Sequence, residues 1–300
     1  MFNDPKRLPI VQAMIMSNSE SERRKYLNEL LALQKSDFKK ILLEMDGLPV
    51  TIRLLDPPLH EFLPRIEETN DKRVRIKIAE LSESNPMLGH RGCRVGITYP
   101  DIYEMQIKAI FEAGIELKKR GKKPIIEIMV PLVGNVNELR VLKKKIKEIA
   151  DKMIKQSKIK LKYSIGTMIE IPRACVTADE IANEAEFFSF GTNDLTQTTL
   201  GFSRDDAEAK FLQYYLANGI YDKNPFEVLD SGVEKLVKTA VRLGRKTRKN
   251  LKIGVCGETG GEPDSIHFYH KAGLDYVSCS PYRIPIARLA CAHANLNYKG

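Results

Sequence analysis

Cysteine is scarce and irregularly spaced in this chain. The 300 residues include five cysteines with no C-x-x-C pair, namely Cys93, Cys175, Cys256, Cys279 and Cys291. Such a number argues against a disulfide framework. Long apolar runs are also missing, since none approaches the roughly 18 residues that a membrane span requires. The N-terminal residues contain an early acid and no hydrophobic stretch of the signal-peptide type. These absences predict a reduced, cytoplasmic protein with no membrane partner.

Acidic residues are fewer than basic ones. The chain has 39 Asp and Glu against 48 Lys and Arg, a formal net charge of +9. A basic excess favours an anionic partner, and nucleic acid, a membrane surface or a phosphorylated metabolite would each satisfy it. Several lysines between Lys143 and Lys162 fall on the outer face of a predicted amphipathic helix, where contact with solvent is the simpler interpretation. No nucleic-acid-binding motif accompanies the charge, so no nucleic-acid partner is predicted.

Strand-like and helix-like patterns alternate along the chain. Hydrophobic residues at 43% and charged residues at 29% exclude a disordered chain. Alternating strands and helices pair in parallel through right-handed crossovers, and about seven such units favour a closed barrel over an open sheet. We therefore predict an α/β fold of the (β/α)₈ TIM-barrel type, a single domain over residues 1–300 with one strand missing. The seven strands are expected near residues 51–55, 92–95, 125–130, 164–170, 187–191, 252–256 and 275–279.

Two segments show the S/T-x-x-E spacing of a helix N-terminus. Ser19 and Glu22 precede helical periodicity that continues to Met45, and Thr177 and Glu180 precede a short helix. A polar, aperiodic stretch then runs from residue 201 to about residue 230. Loops of this length inside a compact domain are usually functional, so the stretch is a candidate lid or subunit contact.

Acidic residues close two of the predicted strands. In a β/α barrel the active site lies at the C-terminal ends of the strands, and Glu170 and Asp194 follow consecutive strands. Neighbouring carboxylates repel each other unless they are paired or bind a metal ion, and oxygen ligands suit Mg²⁺. The two acids are therefore a candidate Mg²⁺ site, while either acid alone would also be explained as a helix cap.

Arginines and glycines supply a candidate anion site. Arg53 lies in the first predicted strand, and Arg91 and Arg94 lie in the glycine-containing segment 89–94. Arginine forms bidentate contacts with phosphate or carboxylate, and glycine lets the backbone approach closely. The tripeptide at 191–193 adds backbone donors and an amide side chain. Pairing of Arg91 or Arg94 with a surface acid is the alternative interpretation.

Cys256 has two interpretations. Most cysteines in folded proteins are buried structural thiols. If Cys256 faces the two acids, its thiol is instead a candidate proton donor, because an unperturbed thiol stays mostly protonated at neutral pH. His267 and His270 lie three residues apart without a further ligand nearby in the sequence, and we expect them on a helix surface.

Six segments together carry a resemblance to a known family. They read PVTIRLLDPPLHEF from Pro49, NPMLGHRGCR from Asn85, GTMIEIP from Gly166, SFGTNDLTQ from Ser189, VCGE from Val255 and YVSCSPYRIPIARLA from Tyr276. They resemble the C-terminal domain of the pyruvate, phosphate dikinases, a family of phosphoenolpyruvate-utilising enzymes. The resemblance covers essentially the whole chain.

The resemblance implies a barrel that binds phosphoenolpyruvate or pyruvate. It implies Mg²⁺-dependent phosphoryl transfer between phosphoenolpyruvate and a phosphohistidine on another domain, and homodimerisation. In such a site Glu170 and Asp194 hold Mg²⁺, and Cys256 is the catalytic residue that protonates the enolate methylene. Substrate binding is implied for five residues: Arg53, Arg91, Gly191, Thr192 and Asn193.

Two features depart from the family pattern. Thr259 stands where we expect a histidine after Cys-Gly-Glu. The related sugar-uptake phosphotransferase enzyme also lacks this histidine, so its absence does not exclude catalysis. The family's first strand, with an active-site arginine, is expected just before Met1, and its nucleotide-binding and phosphohistidine domains are not in this sequence. The chain alone is therefore expected to be incomplete for the full reaction. The alternatives are a phosphoenolpyruvate synthase or phosphoenolpyruvate–protein phosphotransferase barrel, and a non-catalytic phosphoenolpyruvate-binding remnant.

Overall fold

The computed structural model describes residues 4–297. Met1, Phe2 and Asn3, part of the N-terminal segment considered above, lie outside the described residues. The described chain divides into two compact units. The first comprises residues 4–131 and 140–165, and the second comprises residues 132–139 and 166–297. The expectation of one domain over residues 1–300 stays a prediction.

The first unit is mainly helical. Its long helix α2 packs along α5 and buries the apolar stripe that includes Leu27, Leu30 and Phe38. The helices are α1 (Leu8–Met16), α2 (Glu20–Glu44), α3 (Lys72–Leu81), α4 (Cys93–Thr98), α5 (Pro100–Lys119) and most of α6 (Val136–Ser157). The strands are β1 (Pro49–Arg53), β2 (Ile125–Val130) and the beginning of β3 (Lys162–Ile169).

The second unit contains the remaining strands. They are the end of β3, β4 (Phe187–Gly191), β5 (Lys252–Cys256) and β6 (Tyr276–Val277). Its helices are α7 (Pro172–Val176), α8 (Ala178–Ala182), α9 (Thr192–Leu200), α10 (Arg204–Lys210), α11 (Leu212–Ala217), α12 (Ser231–Thr247), α13 (Pro263–Ala272) and α14 (Ile284–Asn297).

The strands form a six-stranded sheet whose order is the order of the strands in the chain. Strand β1 pairs parallel with β2, and β3 to β6 pair parallel in sequence. Arg53 lies opposite Met129, Ile169 opposite Phe190, and Gly191 opposite Cys256. Strand β4 is buried along its whole length, as expected for a strand covered on both faces. The predicted α/β class is confirmed, and sequential parallel pairing is the arrangement found in the wall of a β/α barrel.

The strand expected at residues 92–95 is wrong. These residues begin α4, whose first turn closes with the hydrogen bond from Gly96 N to Gly92 O (3.1 Å). Gly92 has a φ of 58°, which reverses the chain into the helix. Cys93 and Val95 are fully buried, and a short apolar run of this kind does not distinguish a strand from a buried helix. Residues 4–297 therefore contain six strands where seven were predicted.

The two predicted helix caps have different outcomes. Ser19 Oγ accepts a hydrogen bond from Glu22 N (3.1 Å), and Glu22 Oε2 accepts one from Asn18 N (2.9 Å), so the cap at α2 is confirmed. The cap expected at Thr177 is wrong, because its hydroxyl donates to the carbonyl oxygen of Arg173 (2.8 Å). The short helix α7 ends directly before Thr177 and supplies that acceptor.

The segment at residues 201–230 contains more structure than its sequence indicates. It forms α10 and α11, and Ala207, Leu212 and Phe226 make a small buried cluster within it. The aromatic rings of Phe202 and Phe211 pack against that cluster. The segment is thus a small packed layer, and its predicted role as a lid or subunit contact stays a prediction.

No helix within residues 4–297 combines the length and the apolar character that crossing a membrane requires. All five cysteines are free thiols.

Candidate functional site

In the first unit, two arginines converge on one buried aspartate. Asp56 Oδ2 lies 2.5 Å from Nη2 of Arg91 and 3.4 Å from Nη1 of Arg53. The Asp56 side chain is 6% exposed and that of Arg91 is 11% exposed, whereas Arg53 is 45% exposed. The structure therefore brings together the two arginines that the sequence analysis selected. Their shared carboxylate partner was not predicted as a site residue.

The backbone around Asp56 is held in place by helix α5. Gln106 Oε1 accepts a hydrogen bond from Leu55 N (2.8 Å), and Tyr103 donates its hydroxyl proton to Leu55 O (2.8 Å). The Asp56 carbonyl oxygen accepts from Gly92 N (2.8 Å), which links the end of β1 to the segment that contains Arg91. Rigid support of this kind fixes the position of both arginines.

Arg94 has a different role from Arg91. Its Nη1 donates to the carbonyl oxygens of Leu88 (2.8 Å) and Gly89 (2.5 Å). Arg94 thus binds the backbone of its own segment, and neither a surface acid nor an anion is needed to explain it.

In the second unit, Glu170 is completely buried directly after β3. Its Oε1 accepts a hydrogen bond from Leu132 N (2.5 Å). Leu132 has a φ of 59°, a conformation that costs about 1–3 kcal/mol for a residue other than glycine. The backbone is therefore in an unfavourable conformation at the residue that donates to this carboxylate.

Gly191 brings the backbone of the next strand against Glu170. A Cβ atom at Gly191 would lie 2.5 Å from Glu170 Oε2 and 2.5 Å from Met168 Cε. Only glycine fits between these groups without displacing them. The packing of a predicted metal ligand against this backbone thus explains why residue 191 is glycine.

Asn193 and Asp194 lie in the first turn of α9, which starts directly after β4. Asn193 is exposed and Asp194 is half-buried. Among the residues at 4–297, no group of three or more His, Cys, Asp or Glu side chains is placed to hold a metal ion. The Mg²⁺ site predicted at Glu170 and Asp194 therefore stays a prediction based on two acids.

Cys256 ends β5, opposite Gly191. Its Sγ lies 3.6 Å from Ser189 Oγ and donates to the carbonyl oxygen of Phe190 at 3.5 Å. The thiol is half-buried, so the alternative of a fully buried structural cysteine does not describe it. Thr192 Oγ1 donates to the backbone oxygen of Cys256 (3.1 Å), which joins the start of α9 to the end of β5.

Thr259 takes part in a buried chain of hydroxyl groups. Its Oγ1 lies 2.8 Å from Thr192 Oγ1 and 2.7 Å from the Tyr269 hydroxyl oxygen. Burial raises the pKa of Tyr269, so its hydroxyl remains protonated. The residue at the expected histidine position thus supports Thr192 from the interior. Sequence reasoning missed Tyr269, because a tyrosine within an apolar helix pattern carries no signal of a polar role.

Glu258 forms a bidentate ion pair that the sequence analysis also missed. Arg204 donates from Nη1 to Glu258 Oε1 (2.6 Å) and from Nη2 to Glu258 Oε2 (2.8 Å). The hydrogen bond from Arg204 holds the pKa of Glu258 below its usual range and raises the pKa of Arg204. The two residues lie 54 positions apart in the chain, so spacing in the sequence offered no clue to this pair.

Comparison with known proteins identifies close relatives. A family model described as the PEP-binding domain of PEP-utilising enzymes matches residues 1–296. Pyruvate, phosphate dikinase from Clostridium symbiosum is 52% identical and covers 100% of this chain and 36% of its own length. The chloroplastic dikinase 1 from Oryza sativa subsp. japonica is 55% identical over 98% of this chain and 32% of the relative. The dikinase from Entamoeba histolytica is 52% identical over 99% of this chain and 36% of its own length.

The chain spans about a third of the length of these curated relatives. Among solved structures, a citrate lyase from Burkholderia xenovorans matches with a TM-score of 0.44 and 12% identity, over 92% of this chain and 75% of that protein. A likeness at that level establishes neither a shared function nor a shared site. The match of the family model over almost the entire chain, with dikinases more than half identical, shows that the chain belongs to the PEP-utilising enzymes and corresponds to their PEP-binding domain.

Proposed function

We propose that this chain is the phosphoenolpyruvate- and pyruvate-binding part of a pyruvate, phosphate dikinase. In this role it takes part in Mg²⁺-dependent phosphoryl transfer between phosphoenolpyruvate and a phosphohistidine on another domain. The observation that carries the proposal is the 52–55% identity with dikinases along 98–100% of the chain. The phosphohistidine domain is the proposed macromolecular partner, and a homodimer is the proposed assembly.

The residues present fit a Mg²⁺ ion. Glu170 and Asp194 would hold it, because hard carboxylate oxygens are the ligands that Mg²⁺ prefers. The absence of a side chain at Gly191 leaves room beside Glu170 Oε2, where a Cβ would sit at 2.5 Å. When bound, the ion stabilises negative charge on the enolate and phosphoryl oxygens. The Leu132 N–H keeps the Glu170 carboxylate in one orientation (2.5 Å).

Anion binding is proposed for residues of each unit. In the first unit, Arg53 and Arg91 present guanidinium groups to the phosphate or carboxylate, and Asp56 keeps them aligned (3.4 and 2.5 Å). In the second unit, the backbone at Gly191 and Thr192 and the side-chain amide of Asn193 lie at the start of α9, where N–H groups point toward an anion.

Cys256 is the proposed catalytic residue for proton transfer. The thiol gives its proton to the methylene carbon of the enolate to form pyruvate, and the thiolate takes a methyl proton back in the reverse direction. The contacts with Ser189 Oγ (3.6 Å) and Phe190 O (3.5 Å) fix the sulfur at the strand end. The half-buried position of the thiol supports this role.

Isothermal titration of the chain with phosphoenolpyruvate and Mg²⁺ tests the binding site. We expect saturable binding that requires Mg²⁺ and is lost after Glu170→Ala or Asp194→Ala, because each substitution removes a carboxylate ligand. Glu180→Ala, which removes an exposed acid of α8, is the matched control and should leave binding unchanged. Unaltered binding in both test variants would refute the metal assignment.

Two further assays test the chemistry. Cys256→Ala should retain phosphoenolpyruvate binding but fail to exchange the methyl protons of pyruvate with deuterated water. Cys175→Ala, which removes a fully buried thiol, is the control and should retain the exchange.

Transfer of labelled phosphate from phosphoenolpyruvate to an added phosphohistidine domain tests to which member of the family the chain corresponds. Labelling of a dikinase domain is expected, and labelling of only a phosphoenolpyruvate–protein phosphotransferase domain would favour that alternative.

A further inference from the structure

Arg204 connects the packed segment at residues 201–230 to the loop that follows Cys256. Its two Nη atoms bind the two carboxylate oxygens of Glu258 at 2.6 and 2.8 Å. Bidentate pairs of this kind have the most restrictive geometry among ion pairs. The Arg204 side chain is 29% exposed and that of Glu258 is 45% exposed, so the pair lies at the surface and is not a core ion pair.

Arg204 is itself fixed by three other contacts. Its backbone N–H donates to Gln197 Oε1 on α9 (2.7 Å), and its Nε donates to Glu208 Oε1 (3.1 Å). Its guanidinium carbon lies 5.5 Å from the ring centre of Phe226, within cation–π distance. Phe226 belongs to the small buried cluster of the segment. Arg204 therefore contacts both the buried cluster and Glu258, so the position of Glu258 depends on the packing of that cluster.

Glu258 in turn contacts a proposed substrate-binding residue. Its backbone N–H donates to Asn193 Oδ1 at 3.5 Å. An amide side chain has one acceptor end and one donor end, so this contact holds the acceptor end against Glu258 N and turns the Nδ2 donor end away from it. Gly257, with a φ of 108°, separates Glu258 from Cys256 and lets the chain turn sharply between the thiol and the ion pair.

We propose that Arg204 is a positioning residue, which holds Glu258 and thereby orients the Asn193 amide and the loop after Cys256. The inference deepens the proposed function and rests on it for the role of Asn193. The segment at residues 201–230 then serves as a fixed support of the site through one ion pair. The low pKa of Glu258 agrees with this role, because the carboxylate stays charged at neutral pH.

The test compares Arg204→Gln, Arg204→Lys and Glu258→Gln with the unmodified full chain. Arg204→Gln should weaken phosphoenolpyruvate binding in the presence of Mg²⁺ about fivefold, the upper range for one exposed ion pair. Arg204→Lys should weaken it less, since lysine keeps the charge but not the fork geometry. Combining Arg204→Gln with Glu258→Gln should add little, because both changes break the same contact. The exchange Arg204→Glu with Glu258→Arg should restore part of the affinity.

A matched control is the exposed ion pair between Lys223 and Asp264 (2.6 Å) in the same unit. Lys223→Gln should leave affinity unchanged. The thermal unfolding midpoint of every variant should stay within about 4 °C of the unmodified chain, which shows that the variants remain folded and separates positioning from folding. Unchanged affinity in Arg204→Gln, with normal binding by the unmodified chain, would overturn the proposal.

A second measurement keeps the inference testable if the unmodified chain binds no phosphoenolpyruvate, the result that would contradict the proposed function. Alkylation of Cys256 by iodoacetamide, followed by mass spectrometry of the Cys256 peptide, reports on the loop directly. Arg204→Gln should change the alkylation rate severalfold, while Lys223→Gln should not. Equal rates in all three proteins would overturn the positioning role without reference to the substrate.

Discussion

Gly191 is the residue at which the smallest change should have the largest effect on the site. In Gly191→Ala the new Cβ meets Glu170 Oε2 and Met168 Cε, each at 2.5 Å. The carboxylate must move, and we expect Mg²⁺-dependent binding of phosphoenolpyruvate to be lost. Overpacking of this kind also destabilises the fold by about 1–3 kcal/mol. Titration calorimetry and urea unfolding measure the two effects separately.

Gly134→Ala is the control for this substitution. Its Cβ would meet the end of one apolar side chain, Ile171 Cδ1, at 2.8 Å, whereas a Cβ at Gly191 also lies 2.8 Å from Glu170 Cβ, which is fixed to the backbone. We expect a smaller loss of stability and intact Mg²⁺-dependent binding. If Gly191→Ala behaved like Gly134→Ala, the close packing of Gly191 against Glu170 would have no functional role.

Site residues could be predicted from the sequence where they lie at the C-terminal end of a predicted strand, because the active site of a β/α barrel lies there. Glu170 and Cys256 were selected because each closes an apolar run, and the structure places both at strand ends. Asp56, Tyr269 and Arg204 were not selected as site residues. The contacts that place them in the site, with Arg91, Thr259 and Glu258 respectively, join residues 10 to 54 positions apart, and spacing in the sequence holds no information on such contacts.

At the scale of single elements, the start of α2 depends on one hydroxyl group. Ser19 Oγ accepts from Glu22 N at 3.1 Å, so Ser19→Ala leaves that N–H without its acceptor. We expect a loss of about 1 kcal/mol in the free energy of unfolding. Ser21→Ala, at an exposed position in the first turn, is the control and should change the free energy of unfolding by only about a few tenths of a kcal/mol. Equal effects in urea unfolding would contradict the capping role.

Helix α1 is joined to α2 by a bidentate ion pair between Arg7 and Asp37. The hydrogen bond from Arg7 holds the pKa of Asp37 below its ordinary value of 3.8. A lowered folded-state pKa means that the stabilisation is fully present above the unfolded-state pKa. It is lost as the pH falls through the folded-state pKa. Asp37→Asn should therefore cost about 1 kcal/mol at pH 7, and the difference should shrink below about pH 4.

Urea unfolding of both proteins at pH 7, 5 and 3 measures this dependence. Glu20→Gln removes the exposed partner of Arg24 on α2 and serves as the control, with almost no effect expected at any of these pH values. The free energies of unfolding of Asp37→Asn and the unmodified chain would then be compared at each pH. If their difference stayed constant down to pH 3, the ion pair would not be the cause of that difference.

Strands with a continuous apolar run were predictable, whereas short helices were not. The ranges 125–130, 187–191 and 252–256 agree with β2, β4 and β5. Residues 92–95 form a helix because Gly92 reverses the chain and Cys93 N donates to the carbonyl oxygen of Pro131 (3.2 Å). Tertiary contacts of this kind override the local apolar pattern. The helices in residues 201–230 escaped notice because each has only six or seven residues.

For the whole molecule, the alternation of strands and helices was enough to predict a parallel sheet. The six strands follow one another in the sheet as they do in the chain, because each crossover returns the chain beside the strand it left. The grouping into two compact units was not predictable, since it depends on long-range packing. The hydrophobic pattern of the sequence thus predicts the order of the strands and helices, whereas long-range packing of side chains determines which of them form one compact unit.

The net charge of +9 raises the question of whether the lysines of α6 help to attract an anionic substrate. Lys144, Lys152 and Lys155 are exposed, and charges at the surface are screened over about 8 Å at physiological salt. We expect the triple Lys→Gln variant to bind phosphoenolpyruvate within about twofold of the unmodified chain at 0.15 M salt. Arg91→Gln should weaken binding by about tenfold or more, because it removes a largely buried guanidinium that Asp56 holds in place. Titrations of both variants and the unmodified chain at 0.05 M and 0.5 M salt complete the comparison. A large loss of affinity in the triple variant at 0.15 M salt would show that the lysines of α6 attract the substrate and are not only a solvated surface.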